Sequence, residues 1–297
     1  MNWKAILLPS AYLALFALAV FAIVWWDRRK RGTRTPFAKD LRLTRMAGES
    51  NLKEVGRLDE DFILVTVWAA LVPCILALLL LEVVARLPSW WLWIGVGVTL
   101  AMFVAAAAFA VRWFVARLRE RSDRYLGYFG ERIVAEFMEP LKAGGWHIFH
   151  DVPCESGKER FNIDHVAVGP GGVFVIETRA RRRGVAREGH DDYKVFFDGE
   201  QLSWPWGEDQ EGIGQTMGNA KWLQHWIDKT TGEKLEVVPV LAFPGWYVEA
   251  KAHAALRVVN PSWLPGVLTG GGETILNEKQ IDLCVQQLEQ RCRDVEY

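Results

Sequence analysis

The sequence predicts a mixed α/β domain preceded by three transmembrane helices. Three uncharged apolar runs of about 20 residues each lie before residue 116, and a run of that length is enough to cross the hydrocarbon core of a bilayer. After residue 117, helical and strand periodicities follow one another in the order of a mixed α/β domain. The third observation is a glycine hairpin in this second part, whose two apolar strands both carry acidic residues.

The apolar runs are predicted to be membrane spans at Ala5–Trp26, Phe62–Leu81 and Trp90–Val111. None of them shows the polar stripe of a helix buried in a soluble protein. Tryptophans lie near their ends, as in the aromatic belts of membrane proteins. The first run is longer than the apolar part of a signal peptide, and the basic stretch Arg28–Arg31 follows it instead of a small-residue cleavage site. We therefore expect an uncleaved membrane anchor over residues 1–116.

Lysine and arginine counts predict the orientation of these spans. The loop Asp27–Asp61 carries ten basic residues, whereas the opposite side of the membrane has Lys4 and Arg86, and basic loops stay in the cytoplasm. We therefore expect a multi-pass protein of a bacterial inner membrane, with this loop and the C-terminal domain in the cytoplasm. Within the loop, Ala38–Leu58 fits either an amphipathic helix on anionic lipid or a solvated connector.

The cytoplasmic domain, residues 117–297, is predicted to open with a helix over Ser122–Ala143. Ser122 is a capping residue, apolar residues recur at helical spacing, and Gly144 and Gly145 stop the helix. The elements predicted after it are the strands His147–Val152, Phe161–Val168, Val173–Thr178, Tyr193–Phe197, Val237–Phe243 and Leu256–Val259, and the helices Gly214–Lys229 and Glu278–Arg291.

The motifs exclude several kinds of chemistry. The four cysteines and the six histidines show no zinc-ligand or nucleophile spacing, so we expect the cysteines to be reduced packing residues. The segment Gly169–Gly172 is a hairpin turn and not a phosphate-binding loop, because no helix with a Gly-Lys-Ser/Thr sequence follows it.

The hairpin itself predicts a metal site. Asp164 lies on its first strand and Glu177 on its second, and burying a carboxylate costs several kcal/mol unless a partner compensates. If the two acids converge, they form an all-oxygen site suited to Mg²⁺ or Mn²⁺. The alternative is that both face solvent at strand ends, because a register slip of one residue exchanges the two faces.

Three stretches resemble the nuclease-related domain (NERD) family, a branch of the restriction-endonuclease-like nucleases with the PD-(D/E)xK core. They are Gly127–Glu131 in the opening helix, Asn162–Arg179 across the hairpin, and Gln215 with Asn219 in the second helix. The resemblance covers roughly residues 120–245. It implies a restriction-endonuclease-like mixed sheet flanked by helices.

The resemblance also implies roles for individual residues. Asp164 and Glu177 match the metal-binding acids, and Glu131 matches a helix acid that orients a water or completes the metal shell. Gln215 matches a position that supports the site or contacts substrate. For Glu131 the alternative is a helix surface residue, and for Gln215 it is a glutamine at a helix N-terminus without that role. Arg179 departs from the pattern, which has lysine; arginine is larger, forked and never neutral, yet it can clamp a phosphate.

A basic run follows the second hairpin strand. It consists of Arg181, Arg182, Arg183 and Arg187. The net charge of −1 excludes a nucleic-acid-binding protein that is basic over its whole surface, but it is compatible with a local basic face. Because the run is adjacent to the acids, it could hold a nucleic-acid backbone, although a solvated loop is the usual meaning. The tryptophan pairs Trp204/Trp206 and Trp222/Trp226 could stack bases or form core.

These observations predict a membrane-anchored, Mg²⁺- or Mn²⁺-dependent hydrolase of phosphodiester bonds, endonuclease-like, with DNA as the expected substrate ahead of RNA. The alternative is a degenerate nuclease fold that binds nucleic acid or a protein at the membrane without cutting, which Arg179 favours. A transport function of the spans is disfavoured, because they carry no central charged residue of the kind that marks ion pathways.

Overall fold

The computed structural model of the 297-residue chain describes residues 22, 25, 26, 43–84, 86, 88–251, 255–272 and 274–295. Except for three positions, the first predicted span, Ala5–Trp26, lies outside the described residues, as does the basic stretch Arg28–Arg31. Residues Thr44–Val295 form one compact unit.

The elements are numbered in chain order. The strands are β1 (Leu43–Thr44), β2 (His147–Ser156), β3 (Glu159–Gly169), β4 (Gly172–Thr178), β5 (Lys194–Phe197), β6 (Leu202–Trp204), β7 (Gly207–Asp209), β8 (Val237–Ala242), β9 (Tyr247–Ala250), β10 (Arg257–Val259) and β11 (Arg293–Val295). The helices are α1 (Glu49–Val84), α2 (Ser89–Met138), α3 (Ile213–Thr231), α4 (Leu264–Thr269) and α5 (Glu278–Cys292), with 3₁₀ turns at Glu139–Gly144, Pro261–Trp263 and Gly270–Gly272.

Helices α1 and α2 form an antiparallel hairpin. Phe62 near the middle of α1 packs on Phe114 of α2, with ring centroids 4.6 Å apart. Asp59, one turn earlier on α1, pairs with Arg121, two turns later on α2, at 2.5 Å. The second and third predicted spans both lie within this hairpin.

The hairpin exposes large apolar side chains on both helices. They include Val67, Trp68, Leu71, Ile75, Trp93, Ile94, Val98, Leu100, Val104, Phe109 and Val111. Within the described part of the chain, one helical segment is long and apolar enough to cross a membrane. It is Trp91–Gly144, which comprises α2 and the 3₁₀ turn after it, and its most apolar window has a mean hydropathy of 2.3. Only 6% of that window is buried, so it differs from the core helix of a soluble protein.

Helix α2 corrects the predicted start of the cytoplasmic helix. The third predicted span and the predicted helix Ser122–Ala143 are one continuous helix, so the prediction that Ser122 caps a new helix is wrong. No proline or glycine separates the two segments, and the residues around Ser122 are good helix formers. The Ser122 hydroxyl instead accepts a hydrogen bond from Arg182 at 2.7 Å. The predicted stop is confirmed by the left-handed Gly145 (φ 79°) after the 3₁₀ turn.

Helix α1 bears on the two alternatives for Ala38–Leu58. The helix begins at Glu49, directly after the left-handed Gly48 (φ 74°), and continues without a break into the second predicted span. Within this segment, Glu49–Leu58 is therefore the start of a long helix and not a separate surface helix or a connector, whereas residues 43–48 precede that helix.

The main sheet has five strands in the order β10–β8–β4–β3–β2. The β10–β8 and β8–β4 pairs are parallel, whereas β4–β3 and β3–β2 are antiparallel. One face packs on α3 and α5 through residues such as Leu223 and Leu288, and the other packs on the end of α2 and on α4 through Val134 and Leu264. The result is a mixed sheet flanked by helices, consistent with a nuclease-like fold.

A second, smaller mixed sheet has the order β7–β6–β5–β9. The prediction of a strand over Tyr193–Phe197 is confirmed by β5, but β6, β7 and β9 were not predicted. Strands of three or four residues are too short to display an alternating pattern. The cysteines Cys154, Cys284 and Cys292 are buried and, like exposed Cys74, are not in disulfides, as expected.

Candidate active site

The register of the glycine hairpin places Asp164 and Glu177 opposite each other. The ladder between β3 and β4 runs from the Gly169–Gly172 pair to the His165–Ile176 pair, and Asp164 and Glu177 are the next opposed residues along it. Directly opposed residues of antiparallel strands have their side chains on the same face. Glu177 is fully buried, which rules out the alternative that both acids face solvent.

Asp164 is held at the end of this ladder by a backbone group. The Thr178 N–H donates to Asp164 Oδ2 at 2.7 Å. Since hydrogen bonding to a carboxylate favours its charged form, this contact both orients the side chain and offsets part of its burial.

A third acid, Asp151, lies beside Asp164 and Glu177 on the neighbouring strand β2. The pairs His150–His165 and Val152–Ile163 flank it, so Asp151 lies across from Asp164. It is 4% exposed, and among the described residues it is the only one other than glycine with a positive φ, 49°. Asp151 is not among the site residues predicted from the sequence, where it reads as a single acid within a strand of mixed polarity.

The backbone of β2 is kinked at Asp151. Phe149 and Val152 belong to the same hydrophobic cluster although they are three positions apart, whereas a regular strand would place them on opposite faces. Backbone strain of this kind persists only where surrounding contacts hold it. Here Ser50 Oγ donates to both carboxylate oxygens at 2.7 Å, and Asn162 Nδ2 donates to Oδ1 at 2.9 Å.

Glu131 reaches the site from helix α2. It is 5% exposed, and Asn51 Nδ2 donates to its Oε1 at 2.7 Å. A Cβ at the preceding residue, Gly130, would lie 2.6 Å from the Ala180 Cβ. The glycine therefore allows α2 to pack closely against Ala180, in the segment that follows β4. The alternative that Glu131 is a surface residue is therefore wrong.

Substituting Gly130 with alanine should move α2 away from the site. We expect Gly130→Ala to lower the free energy of unfolding by about 1–3 kcal/mol, because the new methyl group has no space. Gly218→Ala on α3 is the matched control, since a Cβ there meets nothing within 4 Å, and it should raise stability by up to about 1 kcal/mol. Thermal unfolding of the full-length protein in detergent measures both; equal effects of the two substitutions would contradict the close approach.

Helix α3 supplies two amide groups to Glu177. Gln215 Nε2 donates to Glu177 Oε2 at 3.1 Å, and Asn219 Nδ2 donates to Oε1 at 2.7 Å. The Arg179 guanidinium donates to Gln215 Oε1 and, at 3.4 Å, to the Thr178 carbonyl. Gln215 thus bridges Arg179 and Glu177, and the structure brings all five residues expected in the catalytic group to this end of the sheet.

The arginine run has acceptors within the protein. Arg181 pairs with Asp209 at 2.5 Å and lies over the Trp204 ring, Arg182 contacts Ser122 and Asp123, and Arg183 donates to the Gly245 carbonyl. For Arg187 the bond comes from the backbone, whose N–H donates to the Pro205 carbonyl. The Arg182 pair is largely exposed, with side-chain exposures of 57% and 68%, so it contributes little to stability. These contacts do not test whether the run binds nucleic acid.

The tryptophan pairs mainly pack within the protein. Trp204 is buried, stacks on Trp206 and meets the ring of Trp246 edge to face. Trp222 and Trp226 stack on each other with centroids 6.1 Å apart and pack partly against the main core. Core packing therefore accounts for Trp204.

Burial raises the pKa values of the site carboxyls. Burial, with repulsion from Asp164 second, raises the pKa of Glu177 to about 8, and the same two causes raise that of Glu131 to about 9. Burial also raises the pKa of Asp164 to about 6, opposed by the Thr178 N–H and by the Arg179 charge. At neutral pH the two glutamic acids therefore retain protons unless a cation replaces them.

The donor chemistry of these residues fits a hard divalent cation. The donors are carboxylate oxygens, which Mg²⁺ and Mn²⁺ prefer, and a cation would relieve the repulsion among them. Across the described ranges, no three His, Cys, Asp or Glu side chains are already arranged as ligands around one point. Binding therefore requires the carboxylates to rotate.

The raised pKa values predict how the stability of the metal-free protein depends on pH. Glu131 and Glu177 have ordinary values of 4.5 and folded values of about 9 and about 8. Between these limits the folded state holds protons that the unfolded state releases, so the stability that these two groups contribute should fall as pH rises from about 4.5 to 9. Burial lowers the pKa of His150 and His165 from 6.5, so these two groups contribute in the opposite sense below that pH. We expect a lower Tm at pH 9 than at pH 6 in EDTA, and a weaker dependence in Glu131→Gln. A Tm that rises over this interval would contradict the assignment.

The comparison with protein families assigns part of the chain. Residues 126–244 match the nuclease-related domain (NERD) family, so the resemblance seen in the sequence is confirmed for this segment. The match includes Glu131, Asp164, Glu177 and Gln215, whereas Asn51 and its neighbours on α1 lie outside it. No curated protein and no solved structure matches the chain.

Proposed function

We propose that this protein is a membrane-anchored, metal-dependent nuclease that hydrolyses phosphodiester bonds of DNA. The observation that carries the proposal is the opposition of Asp164 and Glu177 at the end of the glycine hairpin, within the segment that matches the nuclease-related domain. Two further buried acids, Asp151 and Glu131, lie beside them. The raised pKa values of Glu131, Asp164 and Glu177 are typical of functional sites.

In this proposal Asp164, Glu177 and Glu131 hold Mg²⁺ or Mn²⁺. When bound, the cation supplies a water of lowered pKa and stabilises charge on the phosphate. Gln215 and Asn219 hold the Glu177 carboxylate in place, and the Thr178 N–H holds that of Asp164.

Arg179 is the proposed cation for the phosphate. Its charge favours the ionised forms of both Asp164 and Glu177, and the forked guanidinium of arginine matches the geometry of phosphate oxygens. Gln215 holds the guanidinium beside the site. Because arginine does not lose its proton, it assists as a fixed charge and not as a base.

The arginine run remains a proposed backbone-binding surface. Arg182, Arg183 and Arg187 are exposed, and the exposed pairing of Arg182 with Asp123 is weak enough to be exchanged for a phosphate. Contacts of this kind are independent of sequence and weaken with salt.

A catalytically degenerate domain is the second candidate. It is favoured by arginine at the position where the family has lysine and by the hydrogen bond that ties this arginine to Gln215. Arg179→Lys separates the two candidates. Strong cleavage that appears only in this variant would mean that the site has decayed, whereas a change within about tenfold would support an arginine-based site.

The function is tested directly with the purified full-length chain in detergent. Labelled duplex DNA, single-stranded DNA and RNA are incubated with Mg²⁺ or Mn²⁺, and EDTA provides the control. We expect metal-dependent cleavage of DNA in excess of RNA. No cleavage of any substrate with either ion would refute the nuclease proposal.

The membrane anchor is supported by the apolar surface of the α1–α2 hairpin. Rows of exposed large side chains such as Trp68, Leu71, Val98 and Phe109 form a patch of a size that soluble monomers rarely expose. We expect the full-length protein to stay in the bacterial membrane fraction after a carbonate wash, with the domain after α2 accessible only from the cytoplasm. Recovery in the soluble fraction would contradict this expectation.

A further inference from the structure

The first turn of α1 reaches the acidic site from outside the segment that matches the nuclease-related domain. The Ser50 hydroxyl donates to the Asp151 carboxylate at 2.7 Å. The Asn51 amide donates to Glu131 at 2.7 Å. The site's helix acid and the neighbouring strand acid are therefore both held by a segment about 80 to 100 residues earlier in the chain.

Glycines make this docking possible. A Cβ at Gly127 on α2 would lie 3.1 Å from Asn51 Nδ2, and one at Gly48 would lie 2.7 Å from Cδ2 of the Tyr128 ring. Gly48 also has φ 74°, in the left-handed region that favours glycine. The two helices thus come close at the level of the site, on the side from which Glu131 projects.

The same segment holds the strained backbone at Asp151. Arg45 Nη1 donates to the Asp151 carbonyl at 3.0 Å and lies 3.3 Å from Asp151 Oδ2. Asn162 Nδ2 donates to Ser50 Oγ at 2.6 Å, so strand β3, α1 and β2 share one hydrogen-bonded network. A conformation with φ 49° costs of the order of 1–3 kcal/mol and needs such support.

We propose that Ser50 and Asn51 are positioning residues of the acidic site, which fix Asp151 and Glu131 for cation binding and cleavage. The proposal rests on the proposed function for the reaction, but the contacts that carry it are separate from the Asp164–Glu177 pair. Since α1 is one continuous helix from Glu49 to Val84, a shift of its apolar part along the helix axis would move both residues relative to the acids.

The test compares Ser50→Ala, Ser50→Thr and Asn51→Ala in the full-length chain in detergent. Glu60→Ala, an exposed substitution later on α1, is the control. We expect Asn51→Ala to weaken Mn²⁺ binding by about 10- to 100-fold, the usual cost of losing a residue that orients a metal ligand. Ser50→Ala should weaken it as well, because its partner Asp151 lies across from the proposed ligand Asp164. Cleavage should lose kcat at an unchanged KM for DNA. Ser50→Thr keeps the hydroxyl and should behave as wild type, as should Glu60→Ala.

Hydrogen–deuterium exchange of the metal-free protein gives an independent readout. We expect faster exchange in β2 around Asp151 for Ser50→Ala, with no change in α3. Wild-type exchange and Mn²⁺ affinity in both alanine variants, or equal defects in Ser50→Thr and Ser50→Ala, would overturn the proposal. If wild type neither binds Mn²⁺ nor cleaves, the proposed function fails, and the exchange of β2 alone decides whether Ser50 positions Asp151.

Discussion

Replacing Asp164 with asparagine is expected to abolish cleavage while it stabilises the metal-free protein. The loss of activity should be roughly 10³-fold or more, because the cation loses the negative charge of one of its proposed carboxylate ligands. The gain in stability follows from burial and, to a lesser extent, from repulsion by Asp151, which raise the pKa of the Asp164 carboxyl to about 6. The asparagine oxygen can still accept the Thr178 N–H. Cleavage assays and thermal unfolding in EDTA at pH 8 measure the two effects.

The matched control is Asp198→Asn in the turn after β5. Asp198 accepts the backbone N–H groups of Glu200 and Gln201, and these bonds hold its pKa below the usual value. Neutralising it should lower stability and leave cleavage unchanged, so the two substitutions are expected to have opposite effects on Tm. A lower Tm in Asp164→Asn, or cleavage that survives it, would mean that the acids do not form a charged functional site.

Replacing Arg179 with methionine is expected to reduce cleavage by roughly 10²- to 10³-fold, the cost of removing one group that stabilises transition-state charge. The physical reason is the position of the guanidinium, which Gln215 holds beside Glu177. Methionine keeps the unbranched stem of the side chain and removes the guanidinium with its charge. Because Arg179 also favours the ionised forms of Asp164 and Glu177, Mn²⁺ affinity should fall as well. Steady-state kinetics and Mn²⁺ titration measure both.

Arg160→Met is the control for that substitution, because Arg160 is an exposed arginine on the same strand as Asp164, near the start of β3. It should leave kcat and Mn²⁺ affinity unchanged. Equal activity of Arg179→Met and wild type would remove Arg179 from the mechanism and favour a site built from the acids and amides alone.

The hairpin was predictable from the sequence because its turn is short. Gly169–Gly172 joins two apolar strands, and a tight two-residue connection leaves few registers. Once β3 and β4 pair from that turn, the opposition of Asp164 and Glu177 follows by counting. The positions of Glu131 and Gln215 came from the resemblance, and their burial and contacts could not be read from helical spacing.

The missed parts of the site depend on distant segments. Asp151 and Ser50 are 101 positions apart, and no local pattern indicates that a polar turn before an apolar helix will meet a strand after the next helix. The kink at Asp151 likewise results from contacts with Arg45 and Asn162. The wrong prediction of a helix start at Ser122 has a local cause. A residue that is common at helix caps does not interrupt a helix when no proline or glycine separates it from the preceding helical segment.

Mn²⁺ titration of the full-length protein is the most direct test of the acidic site. We expect saturable binding to wild type, release of protons from the glutamic acids, and stabilisation by about 2.7 kcal/mol at a free Mn²⁺ concentration of 100 times Kd. The Asp164→Asn variant should show none of the three. Absence of Mn²⁺ binding by wild type, or the same binding by Asp164→Asn, would contradict the account.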